Sequence, residues 1–205
     1  MAPQLRQLVL PLDDRLFRAV RDFDCLGEGH RDDPVAENVN GFLAEGRFLP
    51  SLEQGISSTY LLLDPKVNPI LIGYSTLTFD SVRLTNAERR QMEELIGIAE
   101  FGALRIQMIG IDRRHQGQGH GRALLGAITG LARRLSQDVA LRFLLADANV
   151  RKVGWYESHG FVANRAARER NRTDPERSIS MRFDLLDALR DPEPEDRALL
   201  VAALE

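Results

Sequence analysis

Three glycines at alternate positions mark the part of the sequence best suited to bind a small anion. Gly117, Gly119 and Gly121 follow the apolar segment 109–111 and precede apolar residues at helical spacing. Glycine lets successive backbone N–H groups converge without side chains in the way. The first N–H groups of a helix are also unpaired and lie at its positive dipole end. We therefore expect a strand, turn and helix that bind an anion such as a pyrophosphate, the alternative being a turn without a ligand.

The spacing of this turn excludes two common phosphate-binding motifs. A P-loop has Lys-Ser or Lys-Thr after its last glycine, whereas Arg122 and Ala123 follow here. A dinucleotide-binding fingerprint, G-x-G-x-x-G, would place its last glycine one residue later than Gly121.

The pattern Gln116-x-x-Gly119-x-Gly121 resembles the acetyl-CoA signature of the GNAT superfamily of N-acetyltransferases. This resemblance implies that the turn holds the pyrophosphate of acetyl-CoA and that the preceding strand pairs with the pantetheine arm. An N–H group at a splay in that strand would polarise the thioester carbonyl, and we assign it to Ile109. The predicted cofactor-binding residues are Ile109, Ile111, Gln116, Gly117, Gln118, Gly119, His120, Gly121, Arg122 and Asn149.

A second segment resembles the signature that closes the same domain. Asn149 ends a predicted buried strand, and Tyr156-Glu-Ser-His-Gly-Phe161 follows it at the family's spacing. Lys152 stands where the family usually has alanine, so we expect the helix between them to be short.

Tyr156 has the chemistry of a general acid. A phenol has a reference pKa of about 10, against about 8.5 for a thiol, so it can protonate a departing thiolate. The alternative is an aromatic core residue beside Trp155. No general base is evident, although Glu100 precedes the strand and could reach the site. An α-amino group, with a pKa of about 7.7–8.0, needs a base less than a lysine amine at about 10.4.

The elements that position these residues follow the order β-αα-ββ-β-α-β-α-β-β, which is that of the acetyltransferase fold. We expect one α/β domain at 1–186, with a mixed, mostly antiparallel sheet, a central splay between two parallel strands, and helices on both faces. An acidic helical tail is predicted at 187–205. The predicted strands are 5–10, 59–63, 70–79, 104–111, 139–146, 161–164 and 178–185, and the predicted helices are 13–24, 35–46, 86–95, 121–135 and 150–158. The Arg-rich stretch 165–177 reads as a long mobile loop.

The composition of the 205 residues is that of an ordinary globular protein, with 43% hydrophobic and 28% charged residues. A single cysteine, Cys25, excludes an internal disulfide, and the histidines lack metal-ligand spacing, so no metal is expected. Neither a membrane span nor a signal peptide is apparent, which predicts a cytoplasmic protein without a membrane partner. Residues 1–100 are net negative and residues 101–190 net positive, a sign that suits an anionic cofactor.

The N-terminal half resembles one branch of the family. Phe23-Asp-Cys25, Asn40-Gly-Phe-Leu43 and the stretches 55–64 and 72–78 are similar to toxins that acetylate aminoacyl-tRNA and are neutralised by a ribbon–helix–helix antitoxin. The chain departs from that branch in extra residues between Cys25 and Asn40, in Met108 where arginine is usual, and in its lower basic content.

Three functions therefore remain open. The first is an acetyl-CoA-dependent transferase acting on a small-molecule or peptide primary amine. The second is a toxin acting on aminoacyl-tRNA, and the third is a non-catalytic acetyl-CoA-binding regulatory module. The intact glycine motif and Tyr156 argue against the third. A homodimer is left open.

Overall fold

A computed structural model describes residues 3–26, 33–64, 70–91, 97–170, 174 and 178–186. The strands are β1 (Gln4–Gln7), β2 (Ser58–Asp64), β3 (Ile70–Arg83), β4 (Glu100–Ile111), β5 (Phe143–Asn149), β6 (Val162–Ala163) and β7 (Ser178–Asp184). The helices are α1 (Asp14–Arg21), α2 (Pro34–Ala44), α3 (Leu49–Glu53), α4 (Asn86–Gln91), α5 (His120–Asp138), α6 (Val153–Glu157) and α7 (Ala167–Arg170). Short 3₁₀ helices lie at Arg113–His115 and Val150–Lys152.

The strands form a mixed sheet in the order β1-β2-β3-β4-β5-β7-β6. The pair β4–β5 is parallel, and the pairs β1–β2, β2–β3, β5–β7 and β6–β7 are antiparallel. The predicted α/β class with a mixed, mostly antiparallel sheet is confirmed. Within the described ranges, no helix has the length and apolar character needed to cross a lipid bilayer.

The chain divides into two compact units. The first unit is Met1–Thr78 with Gln107–Ile128, and the second unit is Phe79–Ile106 with Thr129–Glu205. Strands β3 and β4 and helix α5 each begin in one unit and end in the other.

The first unit has an apolar core between its strands and helices α1 to α3. Asp13 and Asp33 begin α1 and α2 by accepting hydrogen bonds from backbone N–H groups of the first turn, as N-cap residues do. The core is built from buried side chains that include Leu8, Leu16, Val20, Phe23, Leu43, Phe48, Leu61 and Tyr74. The Tyr74 hydroxyl donates to the carbonyl oxygen of Val39, which holds α2 against β3.

The second unit contains the parallel pair. Its register runs from Ala103 opposite Phe143 to Ile106 opposite Ala146, and both strands continue beyond these pairs. One face of the sheet carries an apolar cluster of Val82, Leu84, Phe101, Ala103, Phe143 and Leu145. Phe183 of β7 pairs with Leu144 of β5, so both side chains lie on the face opposite the apolar cluster. Arg133 of α5 lies 5.7 Å from the centre of the Phe183 ring, so α5 covers that face.

The prediction of a loop over 165–177 is wrong for residues 167–170. Residues Ala167–Arg170 form α7, in which Glu169 is fully buried and accepts a hydrogen bond from the Arg83 N–H at 3.0 Å. Helix α3 was also not predicted. The end of the predicted helix 86–95 and the predicted tail 187–205 lie outside the described residues.

Candidate active site

The glycine turn has the backbone conformation that its sequence predicts. Gly117 and Gly119 have φ angles of +74° and +81°, in the left-handed region that favours glycine. A Cβ atom at either position would meet nothing within 4 Å. The glycines are therefore needed for the path of the backbone, and the space beside them is open to a ligand.

Helix α5 begins directly after this turn. The N–H of Ala123 donates to the carbonyl oxygen of Gly119 at 3.1 Å, closing the first helical turn. The N–H groups of His120 and Gly121 precede that bond, and helix geometry provides them with no acceptor within the helix. A helix of 19 residues brings the positive end of its dipole to the same place, so the turn can bind a phosphate group.

The side chain of Gln116 holds the turn in place. Its Nε2 donates to the carbonyl oxygens of Ile111 at 2.9 Å and of Cys25 at 3.0 Å. Both amide hydrogens are thereby used inside the protein. What Gln116 can offer a cofactor is its backbone, while its side chain fixes the turn against the end of β4.

Asp112 is a site residue that sequence reasoning missed. It is fully buried and accepts hydrogen bonds from the Asp24 N–H at 3.2 Å and from the backbone and guanidinium of Arg114 at 3.0 and 2.8 Å. Burial raises the pKa of Asp112, but the hydrogen bonds from Arg114 and Asp24 outweigh it and lower the pKa overall. An aspartate between an apolar strand and a basic turn was the available signal.

The end of β4 lies close against β3 and α2 in the first unit. A Cβ atom at Gly73 would lie 2.6 Å from the Gly110 carbonyl oxygen, and one at Gly110 would lie 2.9 Å from Val39 Cγ1. Two glycines thus permit this approach, which no larger residue would allow.

The N–H groups of Ile109 and Ile111 point away from β3. The Asp112 N–H donates to the Ile72 carbonyl oxygen at 2.9 Å, and the Met108 carbonyl oxygen accepts from Ser75 Oγ at 3.0 Å. Alternate residues of a strand direct their backbone groups to the same side, so Gly110 faces β3 with these two, while Ile109 and Ile111 face the other way. This direction is compatible with a strand edge that binds pantetheine, and the assignment of Ile109 and Ile111 stays a prediction.

Tyr156 is buried in the second unit among aromatic side chains. Its ring centroid lies 4.9 Å from Trp155 and 5.2 Å from Phe161. Among the residues that the structure describes, its hydroxyl has no hydrogen-bond partner. Burial raises the pKa of Tyr156 well above its usual value, and the carboxylate of Asp147 raises it further. The phenol therefore stays protonated and available as a donor.

Asn149 has a positioning contact of its own. Its side-chain oxygen accepts from the Arg151 N–H at 2.9 Å and so begins the 3₁₀ turn that leads into α6. That helix has five residues, as short as predicted.

The structure gives no support to Glu100 as a general base. Glu100 is the first residue of β4, and its carboxylate accepts a hydrogen bond from Ser81 Oγ at 2.6 Å. Ile106 lies six residues after Glu100, about 20 Å along β4. Ile106 is opposite Ala146 of the parallel strand β5, and Asn149 lies still further along that strand. Glu100 is therefore far from Asn149.

The described residues offer neither a reactive thiolate nor a cluster of metal-ligating side chains. The Cys25 thiol is buried, and burial together with Asp24 raises its pKa to about 12, so it is not a reactive thiolate. In the described part of the chain, no three His, Cys, Asp or Glu side chains are grouped to hold a metal ion.

A polar cavity of about 450 Å³ in the first unit contains none of the predicted site residues. It lies beside α2, where Arg47 donates to Asn38 at 3.0 Å. Asn40, which also lines it, accepts from the Cys25 N–H at 2.8 Å and fixes the segment that Gln116 contacts.

Residues 82–163 match the family model described as an acetyltransferase (GNAT) domain. The match covers 82 of the 205 residues, and it confirms the predicted resemblance to this family and the predicted enzyme class, an N-acetyltransferase. No curated protein matches the chain.

Several solved structures resemble most of the chain. A structure described as a bacterial toxin is 21% identical, covers 93% of this chain and 98% of its own, and has a TM-score of 0.65. A tyrosine-to-phenylalanine mutant of KacT is 19% identical over 93% and 99%, with a TM-score of 0.70. AtaT complexed with acetyl-methionyl-tRNAfMet is 22% identical over 86% and 93%, with a TM-score of 0.65. At these identities the likeness establishes the fold.

Proposed function

We propose that this protein transfers an acetyl group from acetyl-CoA to a primary amine by direct attack, with Tyr156 as the general acid. The observation that carries the proposal is the turn 116–122. Two left-handed glycines, an open space beside them and the first N–H groups of α5 combine there into a binding site for an anionic phosphate group. A structure of AtaTR is described as bound with acetyl-CoA, which supports the choice of cofactor.

In this proposal the cofactor is held by backbone more than by side chains. The backbone of residues 116–122, which includes Gln118, His120, Gly121 and Arg122, binds the pyrophosphate. The N–H groups of Ile109 and Ile111 serve the pantetheine arm and the thioester oxygen, because they point away from β3. Asn149 completes the set, through the turn that it begins.

The chemistry needs one proton donor at the sulfur. The lone pair of the neutral amine attacks the carbonyl carbon, and the tetrahedral intermediate collapses as the C–S bond breaks. The Tyr156 hydroxyl gives its proton to the thiolate and recovers one released by the acylated nitrogen. A raised pKa suits this role, since the phenol is protonated before the sulfur departs.

A second candidate concerns the acceptor. Several structures that share the fold over most of their length are described as toxins, among them an AtaT mutant bound to the C-terminus of the antitoxin AtaR. AtaT is also described as complexed with acetyl-methionyl-tRNAfMet, and another structure as a KacTA–DNA complex. An α-amino acceptor also suits a site in which Glu100 is remote. We therefore propose the α-amino group of aminoacyl-tRNA as the acceptor, with a small DNA-binding antitoxin as partner and the cytoplasm as the compartment.

The test is a pair of parallel assays on wild type and Tyr156→Phe. Induced expression in a bacterium is scored for growth arrest, and labelled acetyl-CoA is incubated with charged tRNA, a peptide mixture or polyamines. Label on the aminoacyl group and growth arrest, both lost in the variant, would establish the tRNA acceptor. Label on peptides or polyamines alone would discard it and keep the transferase. Tight acetyl-CoA binding without label on any amine would contradict the transferase itself.

A further inference from the structure

Two buried glutamates connect the segments at the ends of β3 and β6 in the second unit. Glu88 of α4 accepts a hydrogen bond from the Arg165 N–H at 3.1 Å, and Glu169 of α7 accepts one from the Arg83 N–H at 3.0 Å. The two glutamates are 2% and 0% exposed. Each segment therefore supplies the carboxylate that satisfies a backbone N–H group of the other, which fixes α4 and α7 against each other.

The charge of Glu88 is used inside the protein. One carboxylate oxygen accepts from the backbone N–H and the hydroxyl of Thr85, both at 2.8 Å, and so forms the capping box that begins α4. The other oxygen also accepts from Arg182 Nη1 at 2.7 Å, which makes a buried ion pair. Glu88 therefore does not offset the charge of arginines on the surface.

The same two segments are rich in arginine. Residues 83–95 and 164–177 contain eight arginines and six acidic residues. Two of those six are Glu88 and Glu169, which are buried. The remaining four acidic residues stand against eight arginines, an excess of four positive charges. A surface of this sign is complementary to a polyanion.

Three of these arginines lie beside the hydrogen bonds that the glutamates make. Arg83 and Arg165 donate their N–H groups to the glutamates, and Arg90 lies two residues after Glu88 on α4. All three are exposed, and we call their side chains the arginine surface. In the described part of the chain, the three guanidinium groups form neither a hydrogen bond nor an ion pair. A guanidinium group in this state offers its planar fork of N–H groups to the oxygens of a phosphate.

The arginine surface begins close to the end of β5. The backbone N–H of Asn164 donates to the Ser180 carbonyl oxygen at 2.9 Å, and Ser180 pairs with Asp147 of β5. Two strand spacings of about 4.8 Å therefore separate Asn164 from β5. Arg165 follows Asn164 and lies roughly 10 Å from the part of β5 that ends at Asn149. A ligand bound near Asn149, with anionic groups about 10 Å away, reaches this surface.

We propose that the arginine surface binds phosphate groups of the acceptor RNA while its aminoacyl end occupies the site of Tyr156. Phosphates follow one another at intervals of roughly 3.4 Å along each strand of a duplex, so an RNA that reaches the site presents several of them at this distance. Contacts of this kind position the RNA without reading its bases. The inference rests on the proposed function, because it needs aminoacyl-tRNA as the acceptor, and it adds the surface that holds the RNA.

The test compares a large and a small acceptor in a triple variant of the arginine surface. Charged tRNA carries the phosphates, whereas methionine amide presents the same α-amino group without them. The variant combines Arg83→Gln, Arg90→Gln and Arg165→Gln, which leaves the buried glutamates and their backbone partners in place. We expect its KM for charged tRNA to rise at least about tenfold, because phosphate contacts are lost. Its KM for methionine amide should stay unchanged, which also shows that the variant is folded.

A control variant removes an equal charge elsewhere. It combines Arg6→Gln, Arg15→Gln and Arg21→Gln, which are exposed arginines of the first unit. Its KM for charged tRNA should stay within about twofold of wild type, because these arginines lie outside the surface. A tenfold rise in both variants would show a general effect of net charge and would overturn the inference.

The salt dependence of the tRNA KM measures the number of phosphate contacts. Each lost contact should reduce the slope of log KM against log salt concentration by roughly 0.7–0.9, so the test variant should lose roughly 2–3 of the wild-type slope. A wild-type KM and slope in the test variant would overturn the inference and leave the proposed function standing, and lost binding of an antitoxin in that variant would assign the surface to a protein partner. Acetylation of methionine amide but of no tRNA by the wild type would contradict the tRNA acceptor and the inference together.

Discussion

The side chain of Gln116 donates a hydrogen bond to the carbonyl oxygen of Cys25 at 3.0 Å, although the two residues are 91 positions apart in the chain. The segment at Cys25 is itself held by Asn40 and by Asp112. The cofactor motif is therefore held in position by residues that lie outside the motif. Its glutamine acts as a positioning residue, whose substitution should weaken cofactor binding without removing a direct contact.

We expect Gln116→Ala to weaken acetyl-CoA binding by about tenfold or more, because two hydrogen bonds that fix the turn are lost. Calorimetric titration of the folded variant measures this. Gln54→Ala, an exposed residue of the first unit, is the control and should bind like wild type. Wild-type affinity in Gln116→Ala would mean that the glycines alone fix the turn.

Gly119→Ala and Gly119→Glu separate backbone strain from charge at the same position. Alanine in the left-handed region costs about 1–2 kcal/mol, so the first variant should lose some stability and some affinity. The glutamate places a negative charge at an anion site and should abolish acetyl-CoA binding. Gly130→Ala, in the interior of α5 with open space around it, is the matched control and should be slightly more stable than wild type. Binding by Gly119→Glu at wild-type affinity would rule out this turn as the pyrophosphate site.

The lowered pKa of Asp112 predicts a pH dependence of stability. Its carboxylate contributes stability above its unfolded pKa of about 3.9, and this is lost as the pH falls through the lower folded pKa. Asp112→Asn should lower the free energy of unfolding at pH 7 by about 1–3 kcal/mol. The difference from wild type should shrink as the pH falls below about 4. Urea titrations of both proteins between pH 7 and pH 3 measure it. Because Glu88 also has a lowered pKa, only the difference between the proteins is diagnostic, and a difference independent of pH would contradict the assignment.

Cys25 should be inert in the native protein. Burial raises its pKa to about 12, so almost no thiolate is present at pH 8, and the thiol is covered. Iodoacetamide should label it only after denaturation, and treatment of the native enzyme should leave its activity intact. Rapid native labelling would show that the segment around Cys25 opens.

The residues that act through local backbone geometry could be predicted from the sequence. The glycine turn, the start of α5 and the short helix α6 that carries Tyr156 depend on spacing within a few residues. The predicted strands occur in the observed order, with the unpredicted helices α3 and α7 among them. The observed strand ends differ from the predicted ones by a few residues; β4, for example, begins four residues earlier than predicted.

The residues that act through distant contacts could not be predicted. The side-chain role of Gln116, the burial of Asp112 and the ion pair of Arg105 with Asp147 each depend on partners that are distant in the chain. Helix α7 was missed for the same reason, because its composition is that of a loop while Glu169 bonds to the end of β3. Buried charged side chains cannot be predicted from the hydrophobic pattern, because that pattern assigns charged residues to the surface.

The central claim is acid catalysis by Tyr156, and the turnover number of Tyr156→Phe tests it most directly. The substitution keeps the ring that packs on Trp155 and Phe161 and removes only the proton donor. With both substrates saturating, kcat should fall by about a hundredfold or more while the Kd for acetyl-CoA is unchanged. Tyr60→Phe, a substitution on β2, should keep wild-type kcat. A Tyr156→Phe enzyme with full kcat would contradict the account, since the thiolate would then leave without this acid.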